Sequence, residues 1–349
     1  MKALLVAALL FAWPAAAQSP REIGYVDSGG VYTMLRAPGA TNTQVSSISN
    51  TGIVSGNFDN SGFLYSGGIY TKLFVPGSDY TSAQDVNDAG EATGSYGVGL
   101  TTSGFLYENG TYSTIVAPGS TVTGAISINN SGTVAGVYYL PSGLTQGFTY
   151  SNGTFKTIDV PGSTSTLVYS INDLGVVAGT YTIGSTGYGF TESNGVFTTI
   201  TEPDAAGLGT YITGINDAGA LIGLYYNGVI DSGIPERISF AYSNGTYTPI
   251  GGGKDTFLTG INDNGEVIGG FGPGGGGGFS YSDGVYTSVD AGAAFMFAYD
   301  GEAPADINND GVVVGSAVAA PEPSTWAVLL LGMASVGSAI RSRRRAAAR

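Results

Sequence analysis

The residues Asp306-Ile307-Asn308-Asn309-Asp310-Gly311 place side-chain oxygens at alternate positions ahead of a glycine, as the start of an oxygen-ligand calcium loop does. Asp306, Asn308 and Asp310 are therefore candidate calcium ligands. A complete EF-hand loop would carry a carboxylate where Ala317 stands, so only a partial site, finished by a neighbouring loop, is open to this segment. Asp85, Asp159, Asp290 and Asp306 lie near expected strand ends. Two such groups facing each other across a sugar could act as acid and base in glycoside hydrolysis, provided that distant parts of the chain converge. The sequence has no His and no Cys. This excludes a Ser-His-Asp triad, a Cys-His pair and the His- or Cys-based zinc sites. No catalytic residue is assigned, and calcium is the one candidate cofactor.

The elements that must position these groups are repeats. Ile171-Asn172-Asp173-Leu174-Gly175 has counterparts whose glycines are Gly52, Gly90, Gly132, Gly219, Gly265 and Gly311, spaced by 38, 42, 43, 44, 46 and 46 residues along the chain. A second glycine follows four residues later in each of the seven copies, from Gly56 to Gly315. Asn and Asp close local backbone hydrogen bonds and Gly accepts positive φ, so the phrase is a turn. The recurring Asp88, Asp173, Asp217 and Asp263 belong to that turn. The copy ending at Gly311 alone carries Asp310, so calcium is not a property of the repeat.

A second phrase precedes each copy, as in Gly147-Phe148-Thr149-Tyr150-Ser151-Asn152-Gly153-Thr154-Phe155-Lys156-Thr157-Ile158, with others starting at Gly24, Gly62, Gly104, Gly189, Ser239 and Gly278. Asn-Gly between aromatic and β-branched runs specifies a hairpin, with Tyr150 opposite Phe155. Asn109, Asn152 and Asn244 match a glycosylation sequon, but each occupies this turn. Four short strands per unit of ~38–46 residues predict an all-β, seven-bladed β-propeller over residues 22–316. Tyr65, Tyr107, Tyr150, Tyr242 and Tyr281 fall in the hairpin phrase and are read as core. Tyr138-Tyr139 and Tyr225-Tyr226 are read as the better surface candidates.

The ends of the chain differ from its body. Residues 1–17 form a signal peptide: Met1-Lys2, an apolar run to Trp13, and small residues at Ala15-Ala16-Ala17. Between Gln18 and Ala320 there are six basic residues against 25 acidic ones, a net of −19. Such a surface repels phosphate backbones, which excludes nucleic acid as a partner. Residues 317–349 form a tail with Pro321-Glu322-Pro323, an apolar stretch to Ile340, and Arg341, Arg343, Arg344 and Arg345. Trp326 to Ile340 is 15 residues, or about 22 Å of helix against a hydrocarbon core of about 30 Å. The expected hydrophobic helix is thus a short, transient span, with arginines on the cytoplasmic side.

This order of parts resembles the PEP-CTERM sorting signal of exosortase substrates in Gram-negative bacteria. The resemblance implies an exosortase and the secretion machinery as partners. It also implies export to the cell surface or medium, and loss of the tail. The phrases Gly62-Phe63-Leu64-Tyr65 and Gly104-Phe105-Leu106-Tyr107, each followed by an Asn-Asp-x-Gly type of turn, resemble the HAF family of extracellular repeats. That resemblance implies location and architecture but no activity. The expected role is a non-catalytic surface or matrix scaffold, or a binding module for exopolysaccharide. The alternatives are a carbohydrate-active enzyme with channel carboxylates and a calcium-dependent adhesion module.

Overall fold

A computed structural model of the chain describes residues 22–205, 207–229, 235–251, 255–272, 277–289, 295–296 and 304–319. The described residues form strands and turns, with no helix among them. The signal peptide, Asp290 and the tail from Pro321 to Arg349, with its expected hydrophobic helix, lie outside the described residues.

Gln44–Ile48, Val54–Phe58, Ser61–Ser66 and Ile69–Leu73 make an antiparallel meander of neighbours in sequence. The same order recurs from Tyr80–Val86 to Thr111–Ile115, from Val122–Ile128 to Thr154–Ile158 and from Ser165–Ile171 to Val196–Ile200. It recurs again from Thr210–Ile215 to Thr246–Ile250 and from Thr256–Ile261 to Val285–Val289. One further sheet takes strands from both ends of the body. Glu22–Ser28 pairs with Val31–Leu35 on one side and with Val313–Ala319 on the other, and Pro304–Ile307 and the short Phe295–Met296 both pair with Val313–Ala319. Residues Glu22–Val318 form one compact unit.

The hairpin phrase forms the third and outermost strands of each sheet. At its turn Asn152 and Gly153 have φ of 49° and 77°, the doubly positive geometry that matches the twist of flanking strands. Tyr150 faces Phe155 and Gly147 faces Ile158. The phenylalanines of the phrase, Phe63, Phe105, Phe148, Phe190, Phe240 and Phe279, are fully buried. The tyrosines two positions on are half-buried rather than core. They sit nearer the turn, where Tyr65, Tyr107, Tyr242 and Tyr281 each pack against a tyrosine of the outermost strand, as Tyr65 does on Tyr70 with ring centroids 4.8 Å apart. The surface expectation divides. Tyr138 and Tyr225 are buried, while Tyr139 is exposed and Tyr226 half-buried, because successive strand residues face opposite sides.

The Asn-Asp-x-Gly turn joins the innermost strand to the second. In the copy ending at Gly175 the glycine amide donates to the Asn172 carbonyl at 2.9 Å, and the Asn172 amide donates to the Val176 carbonyl at 3.1 Å. Gly175 takes φ of 76°. The second glycine has a separate cause. Each innermost strand carries a bulge just before its turn, between Val168 and Ser170 in this sheet, and Gly179 lies opposite it. A Cβ on Gly179 would overlap the Leu167 carbonyl oxygen. Gly56, Gly94, Gly136, Gly223 and Gly269 meet the equivalent carbonyl of their own innermost strands.

Candidate functional site

The bulges and turns bring the ends of all the innermost strands together around one polar depression of about 190 Å³. Two circuits of hydrogen bonds surround it. In the outer circuit, a backbone amide of each turn donates to the side-chain oxygen of the next: Asn50 to Asp88, Asp88 to Asn130, Asn130 to Asp173 and Asp173 to Asp217. Asp217 then donates to Asp263, Asp263 to Asn309, and Asn309 back to Asn50, so the circuit closes. The distances run from 2.6 to 2.9 Å. Partial burial raises the pKa of Asp217, and the charges of Asp173 and Asp263 raise it further, against the Asp173 amide that lowers it.

The inner circuit uses the buried Asn before each of these residues. The carboxamide Nδ2 of Asn87 donates to the Asn129 carbonyl, Asn129 to Asn172, Asn172 to Asn216, Asn216 to Asn262, Asn262 to Asn308, and Asn308 to Ser49. The circuit stops there, because Ser49 has no carboxamide and its hydroxyl contacts Thr51 instead. Replacing Ser49 with Asn is expected to complete the circuit onto the Asn87 carbonyl. The expected gain is about 1 kcal/mol, or roughly 2–4 °C in Tm. An unchanged melting curve would show that the Asn87 carbonyl lacks nothing.

Beneath the circuits the residue just after the bulge is Ser47 in one turn and Asp in the two turns that flank it, and all three line the depression. The Asp85 carboxylate accepts the amides of Val86 at 2.8 Å and Ile128 at 2.9 Å. Asp306 accepts Ile307 at 2.9 Å and Ile48 at 3.0 Å. Ser47 Oγ lies 2.7 Å from Asp85 Oδ1 and 2.8 Å from Asp306 Oδ2. One hydroxyl proton cannot serve both contacts. The second requires a proton on a carboxyl that then donates to Ser47. Burial, reinforced by the Asp85 charge, pushes Asp306 up to about 7, against the amides and hydroxyl that lower it. Burial also raises Asp85, with the same kinds of donor opposing.

Of the four carboxylates singled out by sequence, Asp85 and Asp306 thus converge. Asp159 lies at the surface, accepting from Gln146 Nε2 at 2.7 Å. Among the candidate calcium ligands, Asp306 has its oxygens occupied as described. Asn308 Oδ1 caps its own turn by accepting the Asp310 and Val312 amides, and Asp310 is exposed. No group of three or more acidic side chains among the described residues is arranged to hold a metal. Sequence reasoning passed over Ser47 and the Asn circuit. The signal available was the residue before the Ile or Val of each turn phrase, which is Ser, Gly or Asp while the residue after it is always Ile or Val.

Residues 319–345 match a profile described as the PEP-CTERM protein-sorting motif. The motif implies an exported protein, processed by an exosortase, with a membrane-anchored C-terminus in a Gram-negative bacterium. No curated protein matches the chain. Among solved structures, a catalytically inactive virginiamycin B lyase from Staphylococcus aureus, crystallised with quinupristin, superposes with a TM-score of 0.54 at 12% identity, covering 84% of this chain and 99% of that one. A putative TolB from Agrobacterium tumefaciens gives 0.50 at 7% identity, covering 87% and 100%. At these identities the likeness is one of fold, and the body is propeller-like.

Proposed function

We propose that this chain is an exosortase-sorted surface or matrix protein whose body is a closed seven-bladed propeller. The body serves as a non-catalytic scaffold and binding module for exopolysaccharide. The sorting motif at residues 319–345 carries the reading of location. The closed amide circuit through seven turns supports the blade count. The central depression argues against turnover there: about 190 Å³ is below the ~300–1,000 Å³ of ordinary ligand pockets. Its polar groups are also committed to one another.

The mature protein from its native host should begin near Gln18 and end close to Pro321-Glu322-Pro323, as intact mass would read. In a host lacking exosortase the tail should be retained. A surface-located chain that keeps its arginines through Arg349 would replace the sorting reading with a plain membrane anchor. Release of reducing ends from exopolysaccharide by the purified protein, abolished by Asp85→Asn, would replace the scaffold with an enzyme.

A further inference from the structure

A second depression lies on the opposite face from the Asn-Asp-x-Gly turns, between the first two meanders. Its cavity is about 510 Å³, within the size range of small-molecule sites. It is lined by Gln44, Asn57, Asp59, Asn60 and residues 79–82. The organising group is Tyr80. Its ring lies against the bare backbone of Gly97, where a Cβ would collide with the ring carbons. Its hydroxyl is within 3.2 Å of Thr102 Oγ1. One edge of the ring and its hydroxyl are therefore held on protein while the residue remains 39% exposed. Asp59 and Asp79 stand beside it, both exposed. Each uses one carboxylate oxygen internally, Asp59 toward Thr41 and Asp79 toward the Gly99 amide, which leaves the other oxygen facing solvent. Asp59 holds φ of 47°, a conformation disfavoured for a residue with a Cβ.

We infer that this groove binds a neutral, hydroxyl-rich glycan, with a hexose ring stacked on Tyr80 and its hydroxyls donating to Asp59 and Asp79. A rigid aromatic face offers a negative quadrupole to the polarised C–H face of a sugar. Carboxylates accept from hydroxyls in strong charge-assisted bonds. The same carboxylates, on a body of net charge −19, repel uronate or sulfated chains, so the neutral class is selected. The inference rests on the proposal that the body is a binding module and names where that binding occurs.

The test is titration calorimetry of the full chain, held in a sugar-free detergent, against maltoheptaose, cellohexaose, laminarihexaose and an oligo-uronate of equal length. At least one neutral oligosaccharide should bind and the oligo-uronate should not. Tyr80→Ala should weaken binding tenfold or more. Tyr80→Phe, which keeps the stacking face, should stay within about threefold, and Tyr139→Ala on another meander should change nothing. Should Tyr80→Ala fail to fold, Asp79→Asn provides the second variant, with a loss of at least fivefold expected. Equal binding by wild type and these variants overturns the site. Pull-down of native exopolysaccharide separates the two levels. Capture that survives Tyr80→Ala removes the groove and keeps the binding module. Failure of the wild type to bind either the polysaccharide or any oligosaccharide removes both.

Discussion

Replacing Gly179 with Ala is expected to destabilise the body by about 3 kcal/mol or more, the range reserved for a steric fault with no flexible partner. The added Cβ would overlap the Leu167 carbonyl, which is backbone held in the bulge of the innermost strand. Relief would require that strand to move, and its end carries Asn172 and the hydrogen-bond circuits. Gly175→Ala provides the internal comparison. Nothing lies within 4 Å of a Cβ built there, so the penalty is conformational alone, about 1–2 kcal/mol for an L residue at positive φ. Denaturant unfolding of both variants reads the difference. Equal losses would mean that the bulge carbonyl can yield and that the second glycine serves only the backbone.

The body is expected to lose stability as pH rises from about 4 to about 7. Asp306 is raised from 3.8 to about 7 in the folded chain. Through that interval the native state holds a proton that the unfolded state has released, so unfolding becomes easier with increasing pH. The contribution is fully present below the unfolded value and lost above the folded one. Asp85, also raised, acts in the same direction. A tenfold change in proton affinity corresponds to about 1.4 kcal/mol, so the Asp306 shift alone is worth on the order of 2–4 kcal/mol. General repulsion in an acidic protein has the same sign, so the decisive measurement is the difference between wild type and Asp306→Asn. A carboxamide cannot ionise, although the nitrogen that donates to Ser47 no longer accepts the Ile48 amide as the carboxyl oxygen does. Its pH–stability curve should be flatter across the interval, on top of a pH-independent cost from the lost Ile48 bond. Parallel curves would show that Asp306 keeps its charge without cost.

The sequence by itself determined the local geometry. Asn-Gly within the hairpin phrase dictates a tight turn, because two successive residues must take positive φ, and Asn152 and Gly153 do so. The Asn-Asp-x-Gly phrase dictates a turn for a similar reason. The order of the two phrases, with a hairpin opening at Gly24 and a last turn ending at Gly311, already left one pair of strands at each end without a partner. The sorting tail was legible too, because a proline-bracketed glutamate, a short apolar run and an arginine cluster act through their order along the chain.

What the tertiary structure alone decided are the contacts between turns. Ser47, Asp85 and Asp306 are far apart in sequence, and a repeat pattern names the equivalent position without saying that it faces inward. The bulge decides that, by re-aiming one residue per innermost strand. Asn172 and its counterparts looked like turn formers closing their own loops, yet their carboxamides also reach the next turn. The second glycine showed in sequence only as a recurrence, and is a place where a carbonyl comes too close for any side chain. In the hairpin phrase, Phe148 and Tyr150 share one face, but depth from the turn buries the first and leaves the second half-covered. Periodicity fixes which way a side chain points. How far its surroundings close over it depends on the neighbouring sheet, which no single repeat contains.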